Sequence, residues 1–198
     1  MTTRNSRIAL ISAAFLAGLV LCFCVVLLVS GPMSAPSLPQ TAAIGGPFRL
    51  TDQNGGTVTE QDFKGAPFLV FFGFTHCPEV CPTTLFDVSE ILRKLGPDAA
   101  RVRVAFITVD PERDTPAALK DYLSSFDPHM LGLTGDPAAI AAVAKAYRVY
   151  YKKVPLEQDY TMDHTAIVYL MDKDGRFVSP FNLKRTTEAA AADLRRYL

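Results

Sequence analysis

The sequence predicts a mixed α/β domain, its sheet covered by helices on both faces, behind an N-terminal transmembrane anchor helix. Three features predict it: an uncharged run from Ile8 to Val29, two apolar stretches rich in Val, Ile and Phe at Pro67–Phe74 and Val102–Val109, and a helical-period stripe between those stretches.

Taken in order, residues 1–7 form a short leader with Arg4 and Arg7. Residues 8–29 are long enough to cross a hydrocarbon core of ~30 Å at about 1.5 Å per residue. A cleaved signal peptide has a shorter apolar core of roughly 7–15 residues, so the run reads as a retained anchor. Arg4 and Arg7 precede it and no charge follows until Arg49, which puts the leader in the cytoplasm and the remainder across the membrane. Cys22 and Cys24 lie in the span, where a small, weakly polar side chain packs acceptably. Neither follows a small residue, which argues against lipoprotein processing.

Residues 30–46 are rich in Ser, Pro, Gly and Ala and carry no charge, the composition of a linker. Residues 47–198 then suffice for one domain with a sizeable core. That domain holds all 20 acidic residues and every basic residue except Arg4 and Arg7. It is slightly acidic and has no basic patch for nucleic acid.

Phe48–Thr59 reads as two short extended pieces around a turn at Asp52-Gln53-Asn54-Gly55-Gly56. Pro67–Phe74 and Val102–Val109 read as central strands buried on both faces. Leu85, Val88, Ile91, Leu92 and Leu95 recur at helical spacing ahead of the terminator Gly96, making a strand–helix–strand unit whose parallel crossover is expected to be right-handed. Thr115 and Asp136 each precede a proline at a helix start, and Leu119, Tyr122, Leu123 and Phe126 form the stripe of the first of those helices. Thr165–Met171 reads as a strand that His164 opens. Lys173-Asp174-Gly175 reads as a tight turn into Arg176–Val178, and a last helix starts near Thr186.

The soluble part has only two cysteines, Cys77 and Cys81, in the stretch FGFTHCPEVCP. A structural disulfide gains most by closing a long loop; this pair closes almost none, so chemistry explains it better than stability. Pro78 and Pro82 are tolerated only in a first helical turn, so the helix should begin near Cys81 or Pro82, at the carboxyl end of a central strand where open α/β sheets place their sites. A helix N-terminus favours negative charge, and the thiolate forms of both cysteines are expected to be stabilised. The spacing of four permits a disulfide. The familiar dithiol motif has two intervening residues rather than three, and the wider loop lets both sulfurs face a common metal. Metal binding and dithiol exchange both stand at this point.

His164 tilts the balance, because two thiolates and an imidazole make a three-coordinate Cu(I) site and also suit Cu(II). Cys, Cys, His and water is equally a zinc arrangement, so copper and zinc both stay open on these residues alone. His76 adjoins Cys77, but strand neighbours point to opposite faces. His129 follows Asp127-Pro128 and reads as a loop residue. Asp110-Pro111-Glu112-Arg113-Asp114 reads as a turn, a helix cap and a solvated charge cluster, with partner docking the alternative. Asp163 is a candidate acceptor for the His164 ring.

THCPEVCP, VDPERDTP and YTMDHTAIVYLMDKDGRF stand in the order, and at about the separations, of the Sco/SenC family of membrane-anchored copper chaperones. The chain resembles that family from about Gly46 to its end, and the anchor matches too. The resemblance implies a thioredoxin-like domain that binds copper, as Cu(I) and also Cu(II), through Cys77, Cys81 and His164. It implies delivery to the dinuclear copper site of cytochrome c oxidase, with the copper-bearing oxidase subunit as partner and periplasmic copper carriers or thioredoxin-like reductants as further ones. A metallochaperone is expected rather than an enzyme. The alternatives are an extracytoplasmic thiol-disulfide reductase, in which Cys77 attacks and Cys81 resolves, and a redox or copper sensor. With only six residues before Arg7 there is no room for an Arg-rich presequence, so the expected site is a bacterial inner membrane with the domain facing the periplasm.

Overall fold

The computed structural model describes residues 16–26 and 43–198. The chain divides into two units, Met1–Thr41 and Ala42–Leu198. In the first, residues 16–26 are helical (α1), and Leu16, Leu19, Leu21 and Phe23 are exposed, as are Cys22 and Cys24. The rest of the expected span, the leader, and residues 30–42 of the linker lie outside the described residues. Among the described residues, no helix is long and apolar enough to cross a membrane.

The second unit is built on a seven-stranded sheet of order β2-β1-β5-β4-β3-β8-β9. Its strands are β1 (Arg49–Asp52), β2 (Thr57–Thr59), β3 (Phe68–Gly73), β4 (Arg103–Thr108), β5 (Met130–Thr134), β8 (Val168–Met171) and β9 (Phe177–Pro180). β3, β4 and β5 run parallel, while β1 and β8 flank them antiparallel. Every residue of β3 is buried, as a central strand covered on both faces requires. One face carries Phe72 against Tyr147 and Tyr169. The other carries Phe71 against Phe106, which in turn meets Tyr122.

The helices begin where their caps predict. α2 (Val80–Leu95) ends at Gly96, whose φ of 60° is one that glycine adopts without strain. α3 (Pro116–Leu123), α4 (Pro137–Ala146) and α5 (Thr187–Arg195) are capped by Thr115, Asp136 and Thr186, whose side chains accept from the backbone N–H of Ala118, Ala139 and Ala189. α3 is shorter than its stripe suggests: Phe126 lies beyond its end and packs on Tyr122 at 5.5 Å between ring centroids.

A further difference lies before β8. Residues 151–164 form a separate two-stranded sheet, β6 (Tyr151–Pro155) paired antiparallel with β7 (Tyr160–His164). His164 therefore ends one strand rather than opening the next, paired across the ladder with Tyr151. Thr165 prolongs this hairpin by donating its N–H to the Tyr150 carbonyl at 2.9 Å. The expected strand over 165–171 is thus cut to Val168–Met171.

Candidate metal centre

α2 starts one residue before Cys81, and this decides the orientation of both sulfurs. Cys77 sits half-buried in the turn ahead of the helix, where the backbone N–H of Cys81 points at its Sγ at 3.4 Å. Cys81, in the first turn, faces inward and is fully buried. Its Sγ lies beneath the end of β3: a Cβ on Gly73 would stand 2.8 Å from that sulfur and 2.6 Å from Phe106. Glycine is needed there for close approach, not for a turn.

His164 is delivered from the other side by β7. Its Nε2 lies 3.7 Å from Cys81 Sγ and its Nδ1 3.2 Å from the Thr165 carbonyl oxygen. With the ring proton donated from Nδ1 to that carbonyl, Nε2 turns its lone pair toward the sulfurs. Phe74 meets the imidazole edge-on at 5.7 Å and Phe71 flanks it at 6.4 Å. Cys77 Sγ, Cys81 Sγ and a ring nitrogen of His164 all lie within 4.8 Å of one another, the only such cluster among the described residues.

Electrostatics corrects one expectation. Burial pushes the Cys81 thiol well above its ordinary range, with the neighbouring Cys77 and Asp114 adding to the rise. Desolvation outweighs the helix N-terminus, because the sulfur sits in apolar packing and not in water beside the helix end. Burial also lowers the pKa of His164, opposed by the Thr165 carbonyl and by Asp163. A neutral imidazole facing a protonated thiol leaves a lone pair on nitrogen and an S–H proton that a soft cation can displace.

The other candidate histidines stay outside the cluster. His76 is exposed, its Nδ1 3.0 Å from Thr75 Oγ1. His129 pairs with Asp127 at 2.7 Å. Asp163 is exposed, and the ring partner of His164 is the Thr165 carbonyl instead. The acidic loop is a larger correction. Asp110 and Asp114 are buried, so the segment is no solvated cluster. Asp114 accepts from the Thr75 N–H at 3.0 Å, the Thr75 hydroxyl at 2.6 Å and the Thr108 hydroxyl at 2.5 Å. It thereby ties down the loop that leads to Cys77. Sequence reasoning missed this role; the one usable signal was an aspartate placed directly before the cap Thr115, where it adds nothing to the cap.

A family model described as SCO1/SenC matches residues 36–198. The solved structure of Bradyrhizobium japonicum ScoI with copper bound is 70% identical, with a TM-score of 0.77, covering 79% of this chain and 100% of that one. BsSco, described as a member of the Sco family of cytochrome c oxidase assembly proteins and as having a disulfide switch, is 25% identical with a TM-score of 0.63, covering 80% of this chain and 95% of that one. The SCO2 homolog of Bos taurus mitochondria is 42% identical over 166 residues, covering 82% of this chain and 62% of the bovine protein. The chain thus spans less than two thirds of that curated relative.

Proposed function

Because the chain belongs to the SCO1/SenC family, we propose that it is a membrane-tethered copper-binding assembly factor for a respiratory oxidase. Cys77, Cys81 and His164 bind the copper. The observation that carries this reading is the convergence of two thiols and an imidazole nitrogen within 4.8 Å at a helix N-terminus. Soft sulfur ligands with one imidazole suit three-coordinate Cu(I), and no carboxylate enters the cluster. Half-exposed Cys77 is the open edge: an incoming ligand from the dinuclear copper site of cytochrome c oxidase reaches the metal there, while buried Cys81 and half-buried His164 hold it from behind. The protein purified anaerobically from copper-supplemented cells should carry one copper per chain. Two or more tightly held ions, or zinc in their place, would count against the site.

The domain, residues 47–198, lies in the periplasm of a bacterium, joined through linker 30–46 to an inner-membrane span at 8–29. Supporting this are the uncharged length of that run and the position of Arg4 and Arg7. Protease added to spheroplasts should release the domain; protection there, with cleavage in inverted vesicles, would reverse the topology.

A second reading, a thiol-disulfide reductase, is favoured by one contact. The Cys81 N–H is aimed at the Sγ of Cys77, the more accessible sulfur and the one placed to attack, with Cys81 behind it to resolve the mixed disulfide. His164 has no part in that exchange.

A further inference from the structure

The hairpin that carries His164 has no ladder to the main sheet, yet its last residue must meet two sulfurs held by α2. Packing of buried Met162 fixes its depth. Its far end is tied to the loop after β4, chiefly by Arg113, with a Lys153–Glu112 ion pair at 2.6 Å beside it. Arg113 donates from Nε to Asp110 at 2.5 Å, and from Nη1 to the Tyr160 carbonyl at 3.0 Å and to Asp159 at 3.1 Å. Its guanidinium also lies 3.7 Å from the centroid of the Tyr160 ring. The Tyr160 hydroxyl closes the circuit by donating to Asp110 at 2.9 Å. Burial and that carboxylate push its pKa up to about 12, so it stays a donor.

Tyr160 is the first residue of β7 and His164 the last. At about 3.3 Å per residue the strand is a lever of roughly 13 Å. The loop that grips its far end through Arg113 also grips the cysteine loop through Asp114. One short segment therefore holds both halves of the metal centre.

Stability is a weak explanation for Arg113. Its side chain is 16% exposed and its second terminal nitrogen is buried without a partner among the described residues. A buried ion pair recovers little beyond its desolvation cost, and its best-attested use is to specify an arrangement.

We propose that Arg113 is a positioning residue for copper: by pinning the start of β7 to the loop after β4, it sets the reach of His164 toward Cys77 and Cys81. This rests on the copper reading above.

The test uses the full chain in detergent, loaded with Cu(II) for electron paramagnetic resonance and with Cu(I) for competition against a chelator. Wild type should show coupling to one imidazole nitrogen. Arg113→Ala should weaken or lose that coupling and bind copper 10- to 100-fold less tightly, the range for disturbed outer partners of metal ligands. The equilibrium constant of its Cys77–Cys81 disulfide should move by no more than about fivefold, the shift expected if the His164–Cys81 contact is lost outright. Arg113→Lys keeps the charge without the fork, so it should fold and show an intermediate loss. Wild-type affinity and nitrogen coupling in either variant overturn the proposal alone. Equal changes in copper affinity and disulfide equilibrium make Arg113 a general structural residue and overturn it too. A wild type without nitrogen coupling removes the ligand reading and this inference with it.

Discussion

Copper binding should collapse in His164→Ala while the cysteine pair keeps its thiol chemistry. Disturbing a partner of a metal ligand typically costs 10- to 100-fold in affinity, and losing the ligand itself should cost at least that. With its proton on Nδ1, the imidazole also accepts from the Cys81 thiol across 3.7 Å. That contact exists only in the reduced form, so its loss should make the disulfide slightly easier to form. At ~1 kcal/mol for such a contact, the reduction potential should become more negative by about 20–30 mV. A competition titration and a redox titration on the same preparation check both halves. In a deletion strain, the variant should fail to restore oxidase activity. Full activity without copper binding would overturn the chaperone reading in favour of the reductase.

Asp114→Ala should cause the largest loss of stability. The carboxylate is fully buried and receives the Thr75 N–H and the hydroxyls of Thr75 and Thr108. Alanine takes the acceptor from the part-buried Thr75 amide, and together with the vacated volume the cost is about 3 kcal/mol. Asp114→Asn retains an acceptor and should cost roughly 1 kcal/mol. The pH dependence separates wild type from this variant. Burial raises the pKa of Asp114, partly countered by Thr108 and Thr75. Ionisation is therefore harder in the folded state than in the unfolded chain, where the value is about 3.9. The penalty is full above the raised folded value and fades as pH falls through it. Relative to Asp114→Asn, wild type should gain stability as pH falls from 7 toward the unfolded value of about 3.9. Urea midpoints of the metal-free proteins across that range test this; a constant difference would show that Asp114 ionises as easily folded as unfolded.

Legibility in the sequence followed the range of the interaction. The central strands declared themselves through continuous apolar runs, and α2 through its 3.6-residue stripe. The caps Thr115, Asp136 and Thr186 act within a few residues of where they stand. β5 was not anticipated, because MLGLT is short and carries Gly132 in its middle. The β6–β7 hairpin was missed for a related reason. Tyr151-Lys152-Lys153-Val154-Pro155 is mostly exposed and has no buried face to advertise, so only pairing with β7 makes it a strand.

By itself the sequence singled out the residues proposed to carry the chemistry: a cysteine pair spaced by four at a helix start, and one distant histidine in a motif of its own. Tertiary structure alone decided their state. Cys81 and His164 meet across 83 positions, and the field each feels is set by burial that no neighbour in sequence encodes. Thus the Cys81 thiol is raised where the helix end alone would lower it. Likewise Asp110 and Asp114, charged residues in a turn-like string, become buried anchors only when Tyr160 and Thr75 are brought against them. Periodicity and capping are local and can be read along the chain; desolvation and convergence depend on what folds against a group.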